Sequence, residues 1–421
     1  SRTSAFAFKG KQIGMQDIAE QLGVSYVLEG SVRWAGEQVR VTAQLIDADA
    51  DAHLWSQTFD RPIDDIFSIQ DEIAAIVVQE LKVTLLQQAP TVEHTDPEAF
   101  ALYLRARQLG RTGTAEAYEE SNALFEQALA IDPDYAAAWN GLAVNAFKLF
   151  SRGLRSYEEG YGIARQAAEK ALLSEPGYAP ALATLGLVAL EDTHDLAAAA
   201  RYFQRALTLA PYDLEIIRHV VVFLQSLRRL EAAIALGEYA ISRDPVNAAN
   251  HANLGNSYRW SGRPEDAVAA YRTALRLSPG LGAAHSFIGL ALITQGQHEE
   301  ALAAIEREPF EPYRLIGLAL VHHAMGDAAH SDAALTELIE KYEKEWAYNI
   351  AYVHAARGQP DLAFEWLDRA VEYHDPGLSL VIVEPNFANL ESDPRWREFL
   401  RKLGKSSEQL DAIRFDADLP D

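Results

Sequence analysis

Residues 248–281, AANHANLGNSYRWSGRPEDAVAAYRTALRLSPGL, decide the fold of this chain. Leu254 and Gly255 lie in the first half of the stretch and Tyr271 in the second, and apolar residues recur at helical spacing in both halves. Gly262 separates the halves and is expected to form a turn, because glycine interrupts a helix readily. The stretch therefore predicts two helices joined by a tight connection.

Prolines recur with nearly the same period through the middle of the chain. They are Pro133, Pro176, Pro211, Pro245 and Pro279, at intervals of 43, 35, 34 and 34 residues. A period of about 34 residues is typical of a helix–turn–helix repeat. Proline ends the second helix of each unit, since it lacks the N–H and clashes with the preceding turn.

The small residues of the repeat have a packing reason. Gly186, Gly255 and Gly289 each follow an apolar residue in the first helix of a copy. A residue without a side chain lets the second helix approach closely. Aromatic residues such as Phe203 and Tyr271 then fill the space between the helices. We expect each copy to be a tightly packed helix pair.

These position-dependent residues resemble the tetratricopeptide repeat family, over residues 96–376 in about eight units. Looser units are marked by Gly326 and Gly358. The resemblance implies an α-solenoid superhelix with a concave groove, because single units cannot bury their own apolar faces. Residues 377–404 are expected to cap the last unit, and the polar, acidic tail at 405–421 is expected to fray.

The first ninety residues follow a different pattern. Apolar residues alternate with a period of two, which is typical of half-buried strands. A helix is predicted at 15–22 before the strands and a long one at 66–86 after them. The strands are expected over residues 24–34, 38–46 and 53–59. The predicted class is therefore α+β: a small α/β domain at 1–90, followed by an all-α repeat array.

Residues 22–33, LGVSYVLEGSVR, and 41–48, VTAQLIDA, resemble the TolB-like N-terminal domain found with bacterial repeat arrays. The resemblance is partial, because that family begins with an apolar strand and helix before the equivalent of Arg2, Thr3 and Ser4. An uncovered edge strand invites pairing with another chain. Self-association through the N-terminal sheet edge is therefore expected.

Composition excludes several classes of function. Acidic residues outnumber basic ones 61 to 37, giving a net charge of −24, which disfavours nucleic-acid binding by this segment. Without cysteine there is no disulfide, thiolate metal site or cysteine nucleophile. The longest uncharged run, 277–298, contains Pro279 and helical apolar spacing, so we expect a buried helix and no membrane span. A start at Ser1 suggests a piece of a longer protein.

No catalytic or cofactor motif is found in the sequence. The patterns GxSxG, HExxH and GxxxxGK[ST] do not occur. Asp47, Asp49 and Asp51 alternate like the start of a calcium loop, but Ala52 stands where that loop needs glycine and Thr58 where it needs glutamate. A strand-to-strand turn is expected instead, and neither a catalytic residue nor a cofactor is predicted.

His322, His323 and His330 are the remaining metal candidates. Imidazole nitrogens bind zinc and related ions. Gly326 is expected to break the helix between His322 and His330, which predicts that these two lie on opposite sides of the break. We therefore expect ordinary surface or core histidines and no metal site.

In the repeat family, certain positions of the first helix face the groove. The polar residues at these positions are the candidate partner site. Asparagine can hold a peptide backbone by paired hydrogen bonds, and arginine can clamp a carboxylate. The alternative is that these residues only solvate the inner face. The best pair, Asn253 and Asn256, shares one helix face. The candidates are Asn140, Arg218, Asn253, Asn256, Arg259 and Trp260.

The sequence therefore predicts a non-catalytic scaffold or sensory module of a bacterial signalling protein, which binds peptide or protein partners. Relatives of this architecture carry a class III adenylate/guanylate cyclase or a winged-helix domain upstream. The alternative is accordingly the regulatory half of such a cyclase. A membrane helix precedes the TolB-like part in many relatives, so the resemblance implies an extracytoplasmic location, and a cytoplasmic one stays open.

Overall fold

The computed structural model shows a three-stranded sheet followed by a succession of paired helices, which confirms the predicted α+β class and its solenoid-like repeat array. The backbone forms two compact units, residues 1–138 with 244–246 and residues 139–243 with 247–421. The residues described are 13–35, 38–48, 52–62, 95–110, 114–150 and 154–417, with a few isolated positions between 8 and 77.

The first unit contains an antiparallel sheet of order β1-β2-β3. Its core on one face is formed by Val39, Phe59 and Ile69, all buried. The predicted helix at 66–86 is helical at its few described positions, and the rest of it lies outside the described residues. The elements are α1 (Met15–Leu22), β1 (Tyr26–Ala35), β2 (Gln38–Asp47) and β3 (Ala52–Pro62).

Strand β1 carries apolar side chains that the sheet does not cover. Leu28 and Val32 pair with Leu45 and Val41, so all four lie on one face. Leu45 is buried, whereas Leu28 and Val32 are 50% and 51% exposed. The apolar face is thus buried over β2 and open over the edge strand.

The first unit also contains the helices α2 (Pro97–Gly110) and α3 (Ala115–Ile131). Thr114 begins α3 by accepting a hydrogen bond from the backbone N–H of Ala117 at 3.2 Å. The buried hydroxyl of Ser121 donates to the carbonyl of Ala106 at 2.8 Å, which joins the two helices.

Seven further helix pairs follow among the described residues, with α4 beginning at the boundary of the units. The pairs are α4 (Ala136–Phe150) and α5 (Tyr157–Ser174), α6 (Ala179–Glu191) and α7 (Leu196–Leu209), α8 (Leu214–Ser226) and α9 (Leu230–Arg243), α10 (Ala248–Trp260) and α11 (Pro264–Leu277), α12 (Ala284–Thr294) and α13 (His298–Ile305), α14 (Glu311–Ala324) and α15 (Ala328–Tyr342), and α16 (Ala347–Ala356) and α17 (Pro360–Glu372).

The predicted packing at the small residues is confirmed. A Cβ added to Gly186 would lie 2.8 Å from the ring of Phe203, and one added to Gly255 would lie 2.7 Å from Tyr271. Both distances are shorter than a van der Waals contact, so only glycine allows these helices to approach as they do. Gly262 has a φ of 76° in the turn between α10 and α11, as the sequence predicts.

A C-terminal segment, residues 376–417, follows the last pair. Leu378, Phe387, Leu390, Trp396 and Phe399 are buried in one cluster with α16 and α17. The segment contains two 3₁₀ turns and two short helices. They are the turns Pro376–Leu380 and Pro385–Leu390 and the helices α18 (Pro394–Lys402) and α19 (Ser407–Asp411).

The expectation that residues 405–421 fray is wrong for the part described, which extends to residue 417. Lys405 is 1% exposed and Ile413 is 7% exposed. Leu410, Ile413 and Phe415 stand among the acidic residues and pack on the cluster of α6 to α9. Burial of these side chains holds the tail in place despite its charge. None of the described helices is long and apolar enough to cross a membrane.

Candidate partner-binding site

Two candidate groove residues, at the end of α10, bind the chain's own C-terminal segment. Arg259 donates two hydrogen bonds to the carboxylate of Glu384, at 2.9 and 3.2 Å, and Trp260 donates one at 3.3 Å. The Arg259 and Glu384 side chains are 5% and 4% exposed. Burial alone would lower the pKa of Arg259, but the attraction of Glu384 raises it above its ordinary value.

The same carboxylate shapes the segment locally. Glu384 accepts a hydrogen bond from the side chain of Asn386 at 2.8 Å and caps the turn Pro385–Leu390. One buried carboxylate therefore both begins a turn of the C-terminal segment and fixes that turn to α10. Arg259 and Trp260 hold an intramolecular partner in the position where the sequence predicts an external one.

The other candidates are also engaged within the chain. Asn256 accepts a hydrogen bond from the hydroxyl of Tyr271 at 2.6 Å, and Asn140 accepts one from Thr184 at 2.9 Å. Arg218 donates to Glu215 at 2.7 Å. The first two bonds join different helices, and the third lies within one turn of α8.

Asn253 is half-buried, and its backbone carbonyl accepts a hydrogen bond from the side chain of Gln225 at 3.0 Å. Of the predicted pair, the side-chain oxygen of Asn256 is bonded to Tyr271, and partner binding by the pair stays a prediction.

The C-terminal segment crosses the first helices of several repeats. Its turn Pro376–Leu380 contacts α6, α8 and α16. Beyond the turn, Lys405 donates to the carbonyl oxygens of Ser379, at 2.8 Å, and Ser226, at 3.4 Å. Arg229 donates to the carbonyl of Ile413 at 2.8 Å. The segment thus occupies much of the surface on which tetratricopeptide arrays are expected to bind a partner, and sequence patterns gave no indication of this.

A cavity of about 1160 Å³ remains beside the segment. Its size exceeds the usual range of small-molecule pockets, roughly 300–1000 Å³. Aromatic rings are the largest group of side chains in its wall, and several contact one another: Trp346 meets Tyr313 edge-on, with ring centroids 4.7 Å apart. The aromatic wall includes Tyr157, Trp260, Phe287, Tyr313, Trp346 and Tyr352. We call this space the aromatic cavity.

Tyr157, the first residue of α5, contacts a residue that follows α17 at the aromatic cavity. Its ring stacks on that of His374, with centroids 4.6 Å apart and planes 14° apart. Its hydroxyl donates to Asp192. Burial and this carboxylate raise the pKa of Tyr157 above its ordinary value.

Two carboxyls in the wall of the aromatic cavity titrate near neutrality. Burial raises the pKa of Glu191 to about 7, although the hydroxyl of Tyr161 donates to it at 3.0 Å. Burial likewise raises the pKa of Asp375 to about 6, against the backbone N–H groups of Tyr348 and Gly377 that donate to it. The wall therefore combines apolar rings with acids whose charge depends on pH.

His322 and His330 lie on opposite sides of the helix break at Gly326, as predicted, but their rings are close together. The ring centroids of His322 and His330 lie 5.0 Å apart, because the turn at Gly326 reverses the chain and brings α15 back beside the end of α14. Asp327 lies between them. The glycine was correctly predicted to break the helix, but a tight turn brings flanking residues together.

The helix pairs define a class of repeat protein, and a family comparison agrees with that assignment. The family model for the tetratricopeptide repeat matches residues 252–312 and 316–377. The matched residues are therefore tetratricopeptide repeats, and an N-terminal sheet of three strands precedes them in the chain.

Two relatives are similar to part of this chain. The chain is 38% identical over 154 residues to "Putative adenylate cyclase 3" of Rhizobium meliloti. This match covers 36% of this chain and 26% of that protein. It is 26% identical over 233 residues to protein FlbA of Caulobacter vibrioides, covering 55% of this chain and 37% of that protein. The chain thus spans well under half of these relatives.

One solved structure that is similar to this chain is the "Human IFIT1 dimer with PPP-AAAA". It is 16% identical, covers 72% of this chain and 77% of its own, and superposes with a TM-score of 0.49.

Proposed function

We propose that this chain is a non-catalytic docking module of a bacterial signalling protein, which binds a peptide or protein segment in the aromatic cavity. Tetratricopeptide repeats are protein–protein interaction scaffolds. The observation that carries the proposal is the cavity itself, about 1160 Å³ of space between the repeats and the C-terminal segment, with many aromatic rings in its wall. Such rings supply much of the binding energy at protein interfaces.

The wall favours a basic segment with an apolar anchor. Faces of tyrosine and tryptophan attract cations, and exposed acidic side chains such as Glu159 and Glu345 add to this. Of the four lysines and arginines in the wall, Arg259 and Lys341 are already paired with carboxylates of the chain. The net charge of −24 would speed the encounter with a positively charged partner.

Binding can be tested with peptides selected from a random phage-displayed library on the full chain. We expect the selected peptides to be basic and to contain an apolar or aromatic anchor. Substituting Trp346→Ala should weaken their binding by roughly 30-fold, which corresponds to the 2 kcal/mol of a typical hot-spot residue. Tyr212→Ala, at an exposed aromatic outside the cavity, is the matched control. Equal affinities for wild type and Trp346→Ala would contradict the proposal.

The second candidate is the regulatory half of a class III adenylate/guanylate cyclase. The 38% identical segment of a protein named as an adenylate cyclase supports it. The chain itself is expected to form no cyclic AMP from ATP, and appreciable turnover would overturn the non-catalytic proposal. In a full-length parent with cyclase activity, Trp346→Ala should alter the response to the selected peptides without abolishing basal turnover.

An extracytoplasmic location on a membrane-tethered protein is part of the proposal. It is supported by the resemblance of residues 22–33 and 41–48 to the TolB-like domain. Fractionation of cells that express the full-length parent tests it: protease added outside the inner membrane should cleave this segment, and full protection would contradict the location. Nucleic acid is not proposed as a partner, because the chain is strongly acidic.

A further inference from the structure

Three side chains with metal-binding atoms meet at the turn between α14 and α15. His322 lies in the last turn of α14, Asp327 begins α15 and His330 lies in its first turn. One atom from each, two imidazole nitrogens and a carboxylate oxygen, lies within 4.8 Å of the other two. All three residues lie on one stretch of nine residues, so the cluster depends on a single turn of the backbone.

The two oxygens of Asp327 have different partners. Oδ1 accepts the backbone N–H of His330 at 3.2 Å and caps α15. Oδ2 lies 2.6 Å from Nδ1 of His330 and 3.6 Å from Nδ1 of His322. The helix cap therefore orients the carboxylate, and its second oxygen points between the two rings.

Nδ1 of His322 is the unusual atom in this cluster. It is buried from solvent and has no hydrogen-bond partner within the described structure, and its distance to Asp327 is too long for a hydrogen bond. A buried polar atom without a partner is destabilising and uncommon in folded proteins. An ion bound in line with this nitrogen, beside the stacked rings, would satisfy it.

We infer that His322, Asp327 and His330 bind a divalent transition-metal ion of the zinc class. Ligands at about 2.0–2.1 Å from a tetrahedral zinc are roughly 3.3 Å from one another. The observed separations lie on both sides of that value, so small side-chain rotations bring all three atoms onto one ion. Water takes the fourth position, because His330 is exposed to solvent.

The ligand chemistry selects the ion class. Imidazole nitrogens suit zinc, nickel, copper and iron, whereas calcium and magnesium take oxygen ligands. The bound ion ties the end of α14 to the start of α15 and stabilises that repeat, since it binds the folded turn better than the unfolded chain. The site is separate from the aromatic cavity, whose lining includes none of these three residues.

The test uses the full chain without an affinity tag, stripped of metal with EDTA and titrated with Zn²⁺ by calorimetry. Co²⁺ serves as a second probe through its visible absorption. We expect one equivalent of either ion to bind and the melting temperature to rise. His322→Ala and His330→Ala should each weaken binding at least about tenfold, because loss of even an outer-shell partner costs 10–100-fold.

Two further variants separate ligation from folding. His323→Ala removes an exposed neighbouring histidine and should leave the affinity unchanged. Asp327→Asn keeps a good helix cap while removing the charged oxygen, so it should weaken metal binding without changing the helical content by circular dichroism. Absence of stoichiometric binding, or an equal loss in His323→Ala and His322→Ala, would overturn the inference.

Discussion

Arg259 and Glu384 form a buried, two-bond ion pair across 125 positions of sequence, and this pair fixes the C-terminal segment to the inner surface of the repeats. The carboxylate also binds Trp260 and caps its own turn. Arg259, which the sequence predicts to clamp a partner, is therefore a structural anchor within the chain. The aromatic cavity beside the segment is the partner site that we propose.

The ion pair predicts a large cost for removing one partner. Glu384→Ala should lower the free energy of unfolding by about 3–5 kcal/mol, because it leaves the Arg259 charge buried and unpaired. Urea denaturation followed by circular dichroism measures this. Glu300→Ala breaks the exposed pair with Arg272 and should cost less than about 1 kcal/mol. Similar costs for the two variants would show that Glu384 is not a buried anchor.

A double variant separates pairing from packing. Replacing both charges, Arg259→Met with Glu384→Leu, should recover much of the stability lost in Glu384→Ala, because no unpaired charge remains. The double variant should also keep the C-terminal segment resistant to limited proteolysis. Cleavage between 376 and 417 as fast as in Glu384→Ala would contradict this explanation.

Lys405 predicts a pH dependence of stability. Burial lowers its pKa to about 7, so between pH 7 and about 10 the unfolded chain holds a proton that the folded chain lacks. Stability should therefore rise with pH in this window, by up to about 1.4 kcal/mol per pH unit. Below pH 7 both states are protonated and the effect ends.

The comparison variant is Lys405→Met, measured by thermal melts at pH 7, 8 and 9. Glu191 and Asp375 have raised pKa values, about 7 and about 6, and they make stability fall as pH rises toward 7. Their effect is therefore largely complete between pH 7 and pH 9. We expect the wild type to gain stability relative to Lys405→Met as pH increases. A constant difference between them would show that Lys405 keeps an ordinary pKa.

The open edge of the N-terminal sheet predicts self-association. Leu28 and Val32 present apolar surface on edge strand β1, and such edges pair with other chains. The variant Leu28→Lys with Val32→Lys should shift sedimentation toward the monomer, since charge blocks edge pairing. Leu173→Lys, at an exposed leucine on α5, is the control and should change nothing. A wild-type chain that stays monomeric at high concentration would contradict the prediction.

The repeats could be predicted from local sequence patterns, whereas the long-range contacts could not. Gly255 and Tyr271 are 16 positions apart in one repeat, and their residue types alone indicate close helix packing. Arg259 and Glu384 belong to different elements, and periodicity carries no information about which distant segment enters a groove. The acidic composition of the tail hid Ile413, whose burial depends on a surface formed by four helices.

The most direct test of the central claim is hydrogen–deuterium exchange of the full chain with and without a saturating library-selected peptide. In the free chain, backbone amides of residues 376–413 should exchange slowly, because the segment is packed on the repeats. Added peptide should protect residues 310–313, 346–352 and 373–384, which border the aromatic cavity. Rapid exchange of the free C-terminal segment, or protection confined to surfaces outside the cavity, would contradict the account.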